Sequence, residues 1–251
     1  MTKFSYQLYS SRNFPPLVDT LAMVAKAGYA QVEGYGALYA NPKLVGELKA
    51  HLAQTGLHMA SGHFALDQLS NDPATVLDIA KTFDMTSIYC PHIGADQRPS
   101  DTRGWVEFGR NLQKVGRPYR DAGYDFGWHN HDFEFHALAD GSFPQERIFE
   151  GGPDLSWEGD IAWVVKGGGD PIAWINKFAD RITAVHVKDI APAGENADED
   201  GWADAGHGTM DWKTILAAAR QAGVSLFVME HDNPSDHQRF AKRSIAAANK
   251  F

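Results

Sequence analysis

Short β-type runs and amphipathic helical patterns alternate along the whole of this 251-residue chain, in about eight β→α units spaced by roughly 30 residues. FSYQLY (4–9) precedes LVDTLAMVAKAG (17–28), in which Gly28 reads as a helix stop. YAQVEGYG (29–36) precedes the helical pattern 42–56, LHMASGH (57–63) precedes 74–84, and TSIYCPHIG (86–94) precedes 102–123. The second half adds strand candidates at 124–131, 154–160, 181–189 and 224–230, with helices at 171–179, 212–223 and 235–248. Strands separated by helices pair in parallel, so the pattern predicts an α/β fold, a single (β/α)8 TIM barrel spanning 1–251. A doubly wound open sheet gives the same alternation, but its first strand is followed by a phosphate-binding G-x-G-x-x-G, and none stands here. The glycines at 167–169 and the polar stretch 190–205 read as loops.

The formal net charge is −9, which argues against a partner held by its phosphate backbone. Cys90 is the only cysteine, so no intrachain disulfide can form, as suits a reducing compartment. The first residues lack the apolar run of a secretory signal, and no stretch approaches the roughly 18 apolar residues of a membrane span. A cytoplasmic protein with neither nucleic acid nor membrane as partner is expected.

In a barrel, chemistry sits at the C-terminal ends of the strands. Every strand candidate after the first ends in a group able to bind metal or move a proton: Glu33, His63, His92, His129-Asn130-His131, Glu158 with Asp160, His186 with Lys188, and Glu230. Chance would scatter such residues over helix surfaces and loops. Side chains alternate along a strand, so Ala184, His186 and Lys188 share a face, as do Leu226, Val228 and Glu230, Glu158 and Asp160, and His129 and His131. If these faces point inward, Asp160, His186 and Glu230 converge at the barrel mouth. Mixed imidazole and carboxylate ligands suit one divalent ion of Mn2+, Mg2+, Co2+ or Zn2+ without choosing among them. His51, His58, His136, His207 and His237 read as structural, and Trp128, Trp157, Trp174 and Phe135 as packing. Glu33, His63 and Trp163 are open between structural and substrate-binding roles.

At these residues the chain resembles the sugar phosphate isomerase/epimerase proteins with a xylose-isomerase-like TIM barrel, related to endonuclease IV. The resemblance runs through QLYSSR (7–12), VEGYG (32–36), HNHDFEF (129–135), GDIAWVVKGGGDP (159–171), AVHVKDI (184–190), GHGTMDW (206–212) and VMEHDNP (228–234). It implies a divalent metal held by an acid on strand five, an aspartate on strand six, a histidine on strand seven and a glutamate on strand eight. By position the last three fall on Asp160, His186 and Glu230, and the lysine of the H-x-K-D motif on Lys188, as a contact to a substrate oxygen. Strand five departs from the pattern. Where many members carry a glutamate, this chain has His129-Asn130-His131, so His129 is expected as fourth ligand and His131 as base or substrate contact, with Glu158 or Glu134 as a second carboxylate.

The resemblance implies an isomerase or epimerase of a small sugar or keto-sugar, working through an enediolate that the metal stabilises. Glu230 or His131 would remove the proton. Loss of a β-hydroxyl from the same intermediate would make the chain a dehydratase instead. An endonuclease IV-like nuclease would need a basic face and more metal ligands, and a non-catalytic sugar-binding barrel would not need to keep Asp160, His186 and Glu230. The expected partner is a small carbohydrate, and a homo-oligomer is left open. Beyond G-H-G-T (206–209) no glycine loop offers a phosphate site, which favours an unphosphorylated substrate.

Overall fold

The computed structural model describes residues 3–251. The strands are β1 (Phe4–Gln7), β2 (Gln31–Gly34), β3 (His58–His63), β4 (Ser87–Cys90), β5 (Asp125–His129), β6 (Ser156–Asp160), β7 (Ile182–Val187) and β10 (Leu226–Met229), with β8 (Asp189–Ile190) and β9 (Trp202–Ala203) outside the main sheet. The first eight close into a barrel in the order β1-β10-β7-β6-β5-β4-β3-β2, every pair parallel. The (β/α)8 expectation holds.

The helices are α1 (Leu17–Ala27), α2 (Pro42–Thr55), α3 (Leu66–Asn71), α4 (Pro73–Thr82), α5 (Thr102–Asp121), α6 (Pro144–Gly151), α7 (Ile161–Lys166), α8 (Pro171–Lys177), α9 (Trp212–Gln221) and α10 (His237–Ala248). Their ends follow from local chemistry. Asn41 accepts a hydrogen bond from Leu44 N at the start of α2, and Asp101, Asp170, Asp211 and Asp236 do the same for α5, α8, α9 and α10. Gly28, at φ 103°, ends α1 where a residue with a Cβ would be strained. Helices α3, α6 and α7 are too short to show a period in the sequence. The stretch 190–205, read as a loop, contributes Ile190 and the whole of β9 to an antiparallel hairpin that starts at Asp189.

Strand parity divides the core. Outward side chains such as Phe126, Trp128, Trp157, Val185 and Phe227 pack beneath the helices. A small inward cluster of Ala60, Tyr89, Ala184, Leu226 and Val228 plugs the lower barrel. Polar groups occupy the layers above it, at the C-terminal strand ends.

Helices α5 and α6 cross at glycines. A Cβ on Gly109 would stand 2.1 Å from Ile148 O, and one on Gly151 would stand 2.0 Å from Val106 O. Backbone cannot yield as a side-chain tip does, so Gly109→Ala is expected to destabilise the fold by about 1–3 kcal/mol. Thermal denaturation at an unchanged midpoint would contradict this close approach.

Candidate active site

Register sets the polar layers. Gln7 pairs with Glu33, Glu33 with Ser61, His129 with Glu158, and Asp160 with His186. Strand β5 stops at His129 and β10 at Met229, so His131 and Glu230 stand on the loops within two residues of their strand ends. The same holds for His92 after β4.

The lower polar layer is built on Glu33 and Glu158, both fully buried. Glu33 accepts hydrogen bonds from Gln7 Nε2 at 2.7 Å and from Ser61 Oγ, and its Oε1 lies 2.8 Å from His186 Nε2. Glu158 Oε2 lies 2.6 Å from His63 Nε2 and 3.0 Å from His129 Nδ1. Burial alone would favour the neutral imidazoles of His63 and His186. The surrounding carboxylates outweigh it and raise both pKa values, that of His186 strongly. His129 goes the other way, to about 4, through burial and then the charge on His186.

The upper layer is held by Lys188, which is itself buried. Its Nζ lies 2.9 Å from Asp160 Oδ2, 3.0 Å from Glu230 Oε2 and 2.9 Å from Asp232 Oδ1. Burial works against the ammonium, but these carboxylates keep its pKa above the ordinary lysine value. His186 turns its other nitrogen upward, with Nδ1 2.9 Å from Glu230 Oε2. Asp160 ends β6 and caps α7 by accepting from Trp163 N at 3.0 Å.

Asn130 fixes Asp160 in place. Its Oδ1 accepts from Trp157 Nε1 at 2.8 Å and from Asp160 N at 3.0 Å, and its Nδ2 donates to Asp160 O at 3.0 Å. Asn130→Ala leaves two buried donors unpaired, at about 1–3 kcal/mol each. A loss of roughly 2–4 kcal/mol in urea denaturation is expected, and a variant as stable as the parent would sink this role. Glu134 fixes the loop after β5 in the same way, accepting from Trp128 Nε1 at 2.8 Å and His131 N at 2.9 Å. Burial pushes its carboxyl up to about 8 despite those donors.

Two sets of buried side chains bring ligand atoms within 4.8 Å of one another: His63, His129, Glu158 and His186 below, and His129, Asp160, His186 and Glu230 above. The charges fit a divalent cation. Glu33, Glu158, Asp160, Glu230 and Asp232 lie in or beside these sets. Among the described residues only Lys188 meets any of them as a permanently charged partner. Glu158 Oε1 and Asp160 Oδ2 are buried without a hydrogen bond, although Asp160 has its ion pair with Lys188.

A cavity of about 510 Å3 opens over this layer, lined by His63, His129, His131, Lys188 and Glu230 among others. The His131 ring makes no hydrogen bond among the described residues, and its Nδ1 is a buried unpartnered atom. Burial, together with the charges of His129, Lys188 and His92, keeps its pKa well below the ordinary value.

Not every expected site residue reaches the cavity. Glu33, expected as a substrate contact, lies beneath His186 with both oxygens engaged, and Glu158, expected in catalysis, is enclosed by histidines. Neither lines the cavity. Trp163 is not on the lining either, but packs behind it, edge-on against Trp202 at 4.7 Å and 5.5 Å from the His131 ring. Asn130, Asp232, Tyr9 and Tyr35 belong to the site or its rim and were given no role from the sequence. The place of Asn130 in the H-N-H run at 129–131 and the E-H-D run at 230–232 were the available signals.

The chain belongs to the xylose isomerase-like TIM barrel family, whose model matches residues 21–250. No curated protein matches it. Among solved structures it is similar to a sugar phosphate isomerase/epimerase from Parabacteroides distasonis, at 21% identity and TM-score 0.80 over 98% of this chain and 94% of that one. It is also similar to a probable 3-DHS dehydratase involved in petrobactin synthesis from Bacillus anthracis, at 15% identity and TM-score 0.74 over 98% of both chains. A 3-keto-D-glucoside 4-epimerase from E. coli aligns at 15% identity and TM-score 0.73 over 100% of both chains. At these identities the likeness is one of fold. Among the described residues no helix is long and apolar enough to cross a membrane.

Proposed function

We propose that this chain is a divalent-metal-dependent isomerase or epimerase of a small keto-sugar. The observation that carries the reading is the meeting of the buried Asp160 and His186 with Glu230 and His129, the last two lining a cavity that also presents the unpaired His131 imidazole. Asp160, Glu230 and the upward Nδ1 of His186 would hold the ion, with His129 completing the set. When bound, the ion supplies Lewis acidity toward neighbouring carbonyl and hydroxyl oxygens.

The protein's own part is positioning and proton transfer. His131, kept neutral by burial, takes the proton from the carbon next to the carbonyl. The C–H electron pair moves into the carbon–carbon bond and the carbonyl π pair moves onto oxygen, giving an enediolate. Lys188 points its ammonium at the developing negative charge. Return of the proton by the same imidazole to the former carbonyl carbon, with the hydroxyl proton of the first carbon passing to the former carbonyl oxygen, isomerises the sugar. Return to the first carbon from the opposite face epimerises it and needs a second donor, for which His63 on the cavity wall is the candidate. Expulsion of a β-hydroxyl from the same enediolate would be dehydration, the chemistry named for the Bacillus anthracis neighbour.

Protein loaded with Mn2+ and incubated in D2O with a panel of keto-sugars is expected to place deuterium beside the carbonyl of at least one of them. Product stereochemistry then separates the outcomes. No exchange across the panel would withdraw the enediolate reading.

A further inference from the structure

The cavity changes character from floor to rim. Its floor is the strand-end set of imidazoles, Lys188 and Glu230, whereas Tyr9, Tyr35, Ala65 and Pro91 line it from the loops beyond the strands. The most exposed large hydrophobic side chains of the described residues are Tyr9 and Leu44, at 39% and 38%; Tyr9 stands at this rim and Leu44 in a hollow beside it. Tyr9 meets Tyr35 edge-on, with ring centroids 5.3 Å apart. The Arg12 guanidinium covers Tyr9 at 4.0 Å while donating to Asp232 O at 2.5 Å, which anchors the ring to the loop after β10. Tyr35 is also a wall of a second hollow of about 310 Å3, formed with Leu17, Leu38, Leu44 and Leu48 between the N-terminal ends of α1 and α2.

An apolar track therefore leads out of the cavity, over Tyr9 and Tyr35, toward Leu44. Exposed hydrophobic surface continuous with a polar site is the mark of a ligand that is itself polar at one end and apolar at the other. The cavity alone lies within the roughly 300–1,000 Å3 of drug-sized ligand sites, larger than one pyranose ring fills. Among the lining residues phosphate finds no unpaired cation, the Arg12 and Arg98 guanidiniums standing outside the lining over Tyr9 and beside His92. Lys188 is the one lysine or arginine among the described lining residues, and its charge is met by Asp160, Glu230 and Asp232.

We propose that the Tyr9–Tyr35 rim and the adjoining hollow form a subsite for an uncharged aryl aglycone, so that the substrate is an aryl glycoside whose sugar ring carries the reacting ketone, rather than a free sugar or sugar phosphate. The sugar sits over the polar floor and the aglycone ring packs against Tyr9 and Tyr35. This rests on the reading of the floor as a sugar site.

The test is equilibrium binding of methyl β-D-glucopyranoside, phenyl β-D-glucopyranoside and glucose 6-phosphate to the Mn2+-loaded full chain, by titration calorimetry. The phenyl glucoside is expected to bind about 10- to 100-fold more tightly than the methyl glucoside, and the phosphate no more tightly than the methyl glucoside. Tyr35→Ala and Leu44→Ser should each shrink the phenyl advantage by roughly 3-fold or more while leaving methyl affinity in place. Leu44 is exposed, so its variant keeps the fold when Tyr35→Ala does not. Equal affinities, no binding of either glucoside, or tightest binding of the phosphate would overturn the subsite. A phenyl advantage without deuterium exchange into any keto-sugar keeps the subsite and removes the proposed reaction. Exchange without a phenyl advantage does the reverse.

Discussion

Glu230→Gln and His131→Ala should both abolish most turnover, and should differ in metal content. Glu230 is the carboxylate that touches both His186 Nδ1 and Lys188 while lining the cavity. Its conversion to an amide removes a charged ligand from the upper set. A loss in kcat/KM on the order of 10^3-fold or more is expected, beyond the roughly 10–100-fold typical of residues that only support a ligand. The variant should also come through dialysis with less Mn2+ than the parent. His131 is unpaired, so His131→Ala should leave the metal in place and lower kcat by about 10^2- to 10^4-fold with little change in KM, the pattern of a lost proton-transfer group. Metal analysis beside steady-state kinetics separates the two. Loss of metal in His131→Ala would move that residue into the ligand set, and full activity in Glu230→Gln would remove the upper set from the mechanism.

The barrel was legible because the two periodicities, of about 2 and about 3.6 residues, differ enough to be read without contacts. Parity was legible for the same reason: Ala184 and Val228 lie inside the barrel and Val185 and Phe227 outside, as alternation requires. Depth was not. Alternation says which face a side chain takes and nothing about whether it ends on a cavity floor or one layer below, so Glu33, expected as a substrate contact, and Glu158, expected in catalysis, lie off the cavity wall, beneath His186 and among histidines. Length along the strand also escaped the sequence. β5 was expected through His131 but ends at His129, because Asn130 turns its amide to Asp160 and Glu134 captures His131 N, contacts to residues far along the chain or around a turn. The hairpin β8–β9 consists of two-residue strands, too short for any alternation to register. Lys188, expected to meet a substrate oxygen, does line the cavity, but its three ion pairs with Asp160, Glu230 and Asp232 were not foreseen.

That commitment makes Lys188→Met the substitution with the largest expected effect on stability. Methionine fits the same unbranched volume but leaves Asp160, Glu230 and Asp232 facing one another without their cation. Removing one partner from a buried ion pair typically costs about 3–5 kcal/mol, because the remaining charge has lost its solvation and gained no replacement. In a chain of this size about 2–4 °C accompanies each kcal/mol, so the melting temperature in chelator should fall by roughly 6–20 °C. Divalent metal should narrow the gap. An ion at 100 times its Kd stabilises the folded state by about 2.7 kcal/mol, and with the neighbouring ammonium gone the three carboxylates should bind it more tightly than in the parent. On the proposed metal reading, Lys188 would support the cluster without its ion and compete with the ion for Asp160 and Glu230. Melting curves of both proteins, with chelator and with saturating Mn2+, check both halves. Equal midpoints in chelator would mean that the carboxylates shed their charge when the lysine is removed, and a gap that Mn2+ leaves unchanged would place the metal away from Asp160 and Glu230.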